Sequence, residues 1–511
     1  MIQRFPKWLA LLAGGLSATG FAPLNLWPVT LACMALLIHL IATAPGRKAA
    51  FARGWLFGLG QFTVGLNWIA IAFTYQDAMP HWLGWVAVVG LSCYLAVFPA
   101  LAALSARWLT PPVRARADLR FILGLAALWL VTEWMRAWVF TGFAWNPLAI
   151  VALDAGWAAR IVGTYGLSAL VMLTAGALLL AVQRQGKPAF GLAAGVAAVS
   201  LGGWALAPVS AGLTDMPITV VQPNNDQSDK YDPEEAMRNF ARLAAQTADR
   251  KAPRGRIVFW PEAATEDFVE DGYPRRFYYP ETAAGVRARL TRPLNDGDLL
   301  VTGGAKLDFD SQGQAIAAAN SVFVFSSRGE ILGSYDKSHL VPGGEYLPYE
   351  EILGPLGLAR LVPGTIGFTP GPGPQTLDLG RVGRMGLQIC YEIVFSGEVA
   401  DRANRPDFLF NPSNDAWFGP WGPPQHLTQA RMRALEEGLP VIRSTPTGIS
   451  AVIDADGRLL DSIPHHEAGH IDARLPRAHA ATPFARFGNL LSLGLAGLLM
   501  LFAVALRAFR R

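Results

Sequence analysis

Three side chains in this sequence stand where an apolar run gives way to polar residues. Glu262 follows IVFWP, Lys337 lies in GSYDKSHLVPGGEYLP, and Cys390 ends GLQI. Thiols are nucleophiles in acyl chemistry, carboxylates carry protons for them, and ammonium groups neutralise the anions such reactions build. The ends of buried strands are also where α/β folds assemble their sites. Each residue has a plainer reading too: a solvated loop acid, a surface lysine, a buried core cysteine. The choice depends on the elements that carry them and on the compartment in which the thiol sits.

The segment holding all three reads as a layered α/β domain. Strand-like runs occur at 216–223 (MPITVVQP), 255–262, 298–307, 320–326, 384–392 and 407–413. Several are continuously apolar, as expected of strands covered on both faces. Between them lie two helical patterns, 233–250 and 424–438. The first has Met237, Phe240, Leu243 and Ala244 at helical spacing, with Pro233 and acids at its start, which suits a helix N-terminus. Strands mixed with helices in this way predict packed layers around a core.

The rest of the chain has a different composition. Charged residues make up only 16% of the whole, against about 25% in soluble domains, and residues 1–210 and 484–506 are almost free of acids. Apolar stretches begin near Trp8, Trp27, Trp55, Trp82, Phe121, Trp157, Ala189 and Phe484. Each approaches the roughly 20 residues that cross a bilayer, and tryptophan favours the interface. The pattern predicts a multi-pass α-helical membrane domain of about eight spans. Residues 1–210 hold seven spans, 211–483 form an outer domain, and 484–511 are an eighth span with a basic tail. A cleaved signal peptide fits poorly, because further spans follow at once. The net charge of +4 does not point to nucleic acid, since the arginines cluster between apolar stretches and not along one face.

Those clusters set the orientation. With Arg4 and Lys7 inside, the inner loops carry Arg47, Lys48 and Arg53, then Arg107, Arg114, Arg116 and Arg120, then Arg184 and Lys187, and the tail adds Arg507, Arg510 and Arg511. The turn from Asp77 to His81 has no Lys or Arg. By the positive-inside rule both termini are cytoplasmic and 211–483 face outward, which in a bacterium is the periplasm. Cys33 and Cys93 then fall in spans, and Cys390 stands alone in an oxidising compartment with no disulfide partner.

The three residues in this order, with their flanks, resemble the Glu–Lys–Cys triad of the nitrilase superfamily. FWPEAA, YDKSHLVPGGEYLP, QICYEIVF and NPSNDAWFG are the blocks that carry the likeness. Together with the membrane frame, the whole chain resembles the apolipoprotein N-acyltransferase family. That likeness implies an α-β-β-α nitrilase-like sandwich outside the membrane and no cofactor or metal. It implies Cys390 as nucleophile, Glu262 as general base and Lys337 as the cation beside the oxyanion. Glu345 becomes a further site carboxylate, and Tyr391 and Glu392 flank the nucleophile. Tyr231 in DKYDP stands where the family has tryptophan, so a stacking role transfers only loosely. The implied substrates are a phospholipid acyl donor and the α-amino group of a diacylglyceryl-modified apolipoprotein, joined through a thioester on Cys390 in ping-pong order.

Other features stay open at this level. Glu133 and Arg136 in TEWMRAW share one helical face, either as a pair snorkelling to the outer surface or as a phospholipid headgroup contact. NPSNDAWFG is either a site-lining loop that offers Trp417 and Phe418 to substrate or a tight turn with both packed inward. His465 and His466 lack a patterned carboxylate or cysteine nearby and read as solvated loop. Two rivals remain: a membrane-tethered amidase, and a transporter or scaffold with a silent outer domain. Eight spans exceed what a tether needs, and few charges lie within the spans.

Overall fold

The computed structural model describes residues 5–75, 79–113, 116–225, 233–249, 252–278, 280–356, 360–361 and 366–508. Tyr231 and the orientation-setting residues Arg4, Asp77, Arg114, Arg510 and Arg511 lie outside them. Residues 6–205 are helical almost throughout, because their apolar runs leave the backbone no partner but itself in a lipid-like surrounding. Among the described residues, four helices are long and apolar enough to cross a bilayer: Leu83–Leu109, Leu148–Val182, Gly186–Ala205 and Asn489–Leu506. Arg47–Gly65 and Ile69–Tyr75, bent by 52°, make a fifth if counted as one span.

The remaining expected spans are shorter than their apolar stretches. Pro6–Ser17 has 12 residues and Trp27–Ala42 has 16, about 18 and 24 Å of helix. Between them the chain passes close to the second helix: a Cβ on Gly20 would sit 1.9 Å from Thr30 Oγ1, so glycine there permits the close packing. The stretch near Phe121 forms Leu119–Arg136, capped by the Asp118 side chain, which accepts from the Phe121 N–H at 2.9 Å. Trp157 lies in a 3₁₀ stretch ahead of the helix Ala159–Val182.

The middle of the chain folds into two six-stranded sheets. The first half supplies β1 (Leu213–Gln222), β2 (Ile257–Phe259), β3 (Leu299–Phe309), β4 (Ala315–Ser326) and β5 (Ile331–Asp336). The second supplies β6 (Thr376–Asp378), β7 (Arg384–Leu387), β8 (Phe408–Pro412), β9 (Val441–Ser444), β10 (Ser450–Ile453), β11 (Leu459–Ile463) and β12 (Gly469–Pro476). The sheet orders are β12-β1-β2-β3-β4-β5 and β11-β10-β9-β8-β7-β6. In each, three parallel strands (β1–β3, β7–β9) are flanked by antiparallel ones.

Alternation along the strands sorts the layers. Ile218, Val220, Phe259, Val322 and Val324 face Met385, Leu387, Phe408, Phe410 and Ile442 across the sandwich, with the Phe259 and Phe410 rings 4.7 Å apart. The other face of the first sheet, through Val258, Leu300, Phe323 and Phe325, is covered by Leu243 of helix Pro233–Thr247 and by Val286 and Leu290 of Ala283–Thr291. Met237 of the first of these helices points away and is exposed. The outer face of the second sheet packs against helix Gly422–Glu437, and that helix packs in turn against the apolar helices: Leu409, Val441, Leu427 and Leu435 share one core with Leu153, Val162 and Leu167. The fold is therefore a nitrilase-like double sheet whose second helical layer is shared with the apolar helical region.

Candidate active site

The C-terminal ends of two parallel strands, β2 and β7, and of the antiparallel edge strand β5 lead to the three residues. β2 runs through Trp260 and Pro261 to Glu262, and the turn lies so close over β3 that a Cβ on Gly303 would be 2.3 Å from the Ala263 nitrogen. β5 ends one residue before Lys337, whose N–H donates to the Asn320 carbonyl on β4 at 2.8 Å. β7 leads through Gln388 and Ile389 to Cys390. All three side chains are buried.

They meet in one polar cluster. Lys337 Nζ donates to Glu345 Oε1 at 2.9 Å and lies 3.6 Å from Glu262 Oε1. Asn320 Nδ2 donates to both carboxylates, at 2.7 Å to Glu262 Oε1 and 3.0 Å to Glu345 Oε1. Glu345 is steadied from the other side by the Val341 N–H, 2.8 Å from its Oε2. Burial opposes the charge on Lys337, but Glu345, Glu262 and Cys390 more than offset this and hold its pKa above the usual lysine range. Glu262 Oε2 is buried and, among the described residues, has no hydrogen-bond partner.

Cys390 is held in an unusual way. Its φ is +51°, in the left-handed region, which costs a non-glycine residue about 1–2 kcal/mol. Burial and then the Glu262 charge push its thiol well above the ordinary cysteine pKa, while Lys337 and the Asn414 N–H pull it down. At rest the sulfur therefore carries its proton, and attack requires a base.

Glu392 binds the nucleophile turn to the Lys337 loop. Its Oε2 accepts from the Ile389 N–H at 2.6 Å. Its Oε1 accepts from Tyr335 OH (2.8 Å), the Ser338 N–H and hydroxyl (2.7 Å each) and the His339 N–H (3.1 Å). Burial raises the Glu392 pKa, and these donors oppose the rise. The His339 ring stacks 3.8 Å from Phe395. Burial, helped by Lys337, lowers its pKa to about 4, so it packs as a neutral ring.

Behind the sulfur, the Cys390 carbonyl is 3.1 Å from His426 Nε2. A carbonyl only accepts, so that nitrogen is the donor. His426 Nδ1 lies 2.8 Å from Asp415 Oδ1 and 3.1 Å from Arg443 Nη2. Burial and Arg443 lower the histidine pKa, and Asp415 opposes them in favour of the doubly protonated ring. Both ring nitrogens face groups that only accept, a carbonyl at Nε2 and an ionised carboxylate at Nδ1, so the geometry fits a ring that donates from both. Arg443 also donates to Asp415 Oδ2 at 2.6 Å. Burial would raise the Asp415 pKa, but Arg443 and His426 bring it to about 2.

The remaining expected residues lie between the sandwich and the apolar helices. Tyr391 OH donates to the Gly142 carbonyl at 3.4 Å, and its ring lies nearly parallel to Trp145 at 6.4 Å. Phe418 packs edge-on to Trp68 (4.5 Å) and Trp145 (5.6 Å), and Trp417 meets Tyr75 at 5.9 Å. Glu133 and Arg136 do not snorkel. Both are buried, with Glu133 Oε1 accepting from the Leu148 N–H at 2.8 Å and Arg136 donating to the carbonyls of Phe143 (3.0 Å) and Trp145 (2.8 Å). Two ionisable side chains buried in an apolar region are met here by backbone groups rather than by each other, and they brace the loop that carries Trp145.

Asn320, Asp415, Gln425, His426 and Arg443 are absent from the sequence-based candidates. The adjacent pair Gln425–His426 was the available signal, as two polar residues in the first turn of a helix with a buried face.

Residues 217–482 match the carbon-nitrogen hydrolase family model, and residues 13–177 match the model of the apolipoprotein N-acyltransferase N-terminal domain. Similar curated proteins carry that name across their length. The apolipoprotein N-acyltransferase of Rhizobium rhizogenes is 36% identical over 496 residues, covering 92% of this chain and 90% of its own. That of Caulobacter vibrioides is 37% identical over 505 residues (95% and 92%), and that of Rhodopseudomonas palustris 34% over 517 residues (96% and 94%). With both halves matched and the identity sustained from the apolar helices through the double sheet, the chain belongs to the apolipoprotein N-acyltransferase family.

Proposed function

We propose that this chain moves a fatty acyl group from a membrane phospholipid to the α-amino group of the lipidated N-terminal cysteine of an apolipoprotein, through a thioester on Cys390. One observation carries the reading. A buried, protonated thiol shares a closed polar cluster with a carboxylate that keeps one oxygen free, Glu262 Oε2. In the first half, Glu262 takes the thiol proton and the sulfur attacks the ester carbonyl. The tetrahedral oxyanion forms beside the Lys337 ammonium, which Glu345 holds in place. Collapse breaks the ester C–O bond, and the departing lysophospholipid oxygen takes the proton from Glu262. In the second half the acceptor amine attacks the thioester, Glu262 accepts its proton, and the thiolate leaves and is reprotonated.

The same reading assigns the rest of the molecule. Residues 1–210 and 484–511 form the membrane part, with the shorter apolar helices completing about eight crossings and both termini in the cytoplasm. Residues 211–483 form the catalytic domain in the periplasm of a bacterial inner membrane. Tyr391, Trp417 and Phe418 face the helical part, from which a lipid would come. Glu133 and Arg136 act on substrate through the loop they brace. Full-length protein is incubated with phospholipid alone and analysed by intact mass spectrometry. The expected result is a fatty acyl adduct on Cys390 with release of lysophospholipid, discharged on addition of a lipopeptide amine. Free fatty acid released at a rate that lipopeptide does not change would identify a hydrolase instead.

A further inference from the structure

Gln425 and His426 are consecutive, fully buried polar residues in the first turn of helix Gly422–Glu437. They serve different parts of the molecule. Gln425 Oε1 accepts from Trp145 Nε1 and Asn146 Nδ2, at 2.9 Å each, and its Nε2 donates to the carbonyls of Ala22 and Gly65, at 3.1 Å each. All four partners belong to the helical part of the chain. His426 turns the other way, with Nε2 on the Cys390 carbonyl, and the Trp145 ring lies 5.0 Å from its imidazole. Trp145 thus touches both members of the pair.

We propose that His426 is a positioning residue that holds the Cys390 carbonyl, and with it the left-handed backbone presenting the thiol, and that Gln425 makes this hold depend on docking of the helical part against the double sheet. The inference rests on the reading of Cys390 as nucleophile. A residue with φ of +51° relaxes unless its surroundings fix it. Its N-terminal side is fixed by Glu392, which takes the Ile389 N–H. Its C-terminal side is fixed by His426, with a longer contact from Asn411 Nδ2 at 3.4 Å. His426 is in turn locked by Asp415 and Arg443, so it cannot follow the carbonyl if the backbone relaxes. With Nε2 engaged by the carbonyl, the ring is not a proton carrier for the sulfur. A buried glutamine with four hydrogen bonds to another part of the chain is the corresponding anchor on the membrane side. If the helical part shifts, those bonds and the Trp145 contact move the helix turn that carries His426.

The test uses full-length enzyme in micelles and two readouts at Cys390: the single-turnover rate of acylation at saturating phospholipid, and the rate of alkylation by iodoacetamide, which needs no lipid. His426→Phe keeps a ring beside Trp145 but loses the donor, and is expected to slow acylation by on the order of a hundredfold with the half-saturating phospholipid concentration unchanged. His426→Gln, whose side-chain amide reaches the same carbonyl, should recover most of that rate. Gln425→Met should slow acylation about tenfold, although it touches neither thiol nor lipid. Alkylation should fall in the same order. An unchanged rate in His426→Phe, equal losses in the Phe and Gln variants, or a normal rate in Gln425→Met would each overturn the proposal. If His426→Phe does not accumulate as folded protein, His426→Gln and Gln425→Met decide it by the same criteria. Wild-type protein that alkylates at Cys390 with this variant pattern, yet never forms an acyl adduct, would sink the acyl-transfer reading and leave the positioning role standing.

Discussion

Asn320 offers the sharpest test of the polar cluster, because its two nearest replacements separate geometry from charge. Its amide nitrogen bridges Glu262 and Glu345 at 2.7 and 3.0 Å. Hydrogen bonds to a charged partner contribute about 1.5–3 kcal/mol each. In Asn320→Ala, Glu262 Oε1 keeps only Lys337 at 3.6 Å, so the base is free to rotate away from the thiol. Losing one such bond during attack corresponds to a fall in acylation rate of about tenfold to a hundredfold, nearly independent of pH. Asn320→Asp instead puts a third carboxylate about 3 Å from the other two, with one ammonium among them. Two carboxylates at that distance repel by about 5 kcal/mol at an effective dielectric of 20, so the set takes up a proton. The shared proton raises the apparent pKa of the base. The Asp variant should therefore be slower than the Ala variant at pH 7 and should regain rate as pH rises. Intact-protein mass spectrometry of acyl-Cys390 from pH 6 to 9, with thermal unfolding as a control for folding, measures both. Flat, superimposable profiles for the two variants, or an Asp variant equal to wild type at pH 7, would refute the argument.

Other outcomes follow from neighbouring contacts. Lys337→Ala should leave the fold intact and slow acylation by about 10²–10³, the usual loss for one oxyanion stabiliser; near-normal turnover would remove Lys337 from the mechanism. Glu392→Gln replaces an acceptor of five hydrogen bonds by a side chain that can accept only through one end, and should cost about 2–4 kcal/mol of stability together with adduct formation; an unchanged unfolding midpoint would contradict the clamp. Glu437 is buried beside Glu436, and burial and that neighbour raise its pKa to about 7 against the opposing Arg402, Arg405 and Arg433. The folded protein then holds a proton that the unfolded chain has lost between about pH 4.5 and 7, so stability falls as pH rises through that window. Glu437→Gln should gain up to about 3 kcal/mol at pH 8 and little at pH 4.5; an equal gain at both would exclude titration of this group. A cysteine placed at Asp271, whose side chain is 73% exposed, should react with an impermeant maleimide from outside the cell, while a reporter after Arg511 stays cytoplasmic; the opposite labelling would invert the topology.

How much of this was legible in the sequence depended on range. Glu262 and Cys390 stood out because each ends a strand whose apolar run is local, and β1, β3, β4 and β8 were visible for the same reason. Lys337 follows β5, whose ILGSYD shows no apolar run and whose Ile331 and Leu332 are exposed, so only the block around it pointed to Lys337. β11 was hidden because Leu459 and Leu460, apolar by type, are exposed in it. β9, at four residues, is too short to show a period next to the helix before it. The helices near Trp8 and Trp27 begin within two residues of those positions but stop at Ser17 and Ala42, ends that apolar length alone does not fix. Asn320 resembles any amide within a strand until Glu345 is folded over it.

The deepest omission was Gln425, whose partner Ala22 lies 403 residues away. No local pattern encodes such a pair, yet it bears on why the family joins these two parts in one chain. A nitrilase-like double sheet covers its second sheet with helices; here Gly422–Glu437 has its second face buried by Leu153, Val162 and Leu167. That face would be an exposed apolar patch if the catalytic part were alone. Polar residues on the same helix would then lose their partners: Gln425 its four, Arg433 its contact with Thr164, and Glu436 its bond from the Thr164 N–H. Leaving such groups buried and unmatched is costly, so the docked arrangement is strongly preferred. The helical part therefore does more than tether. It completes the layer on which the turn carrying Cys390 rests.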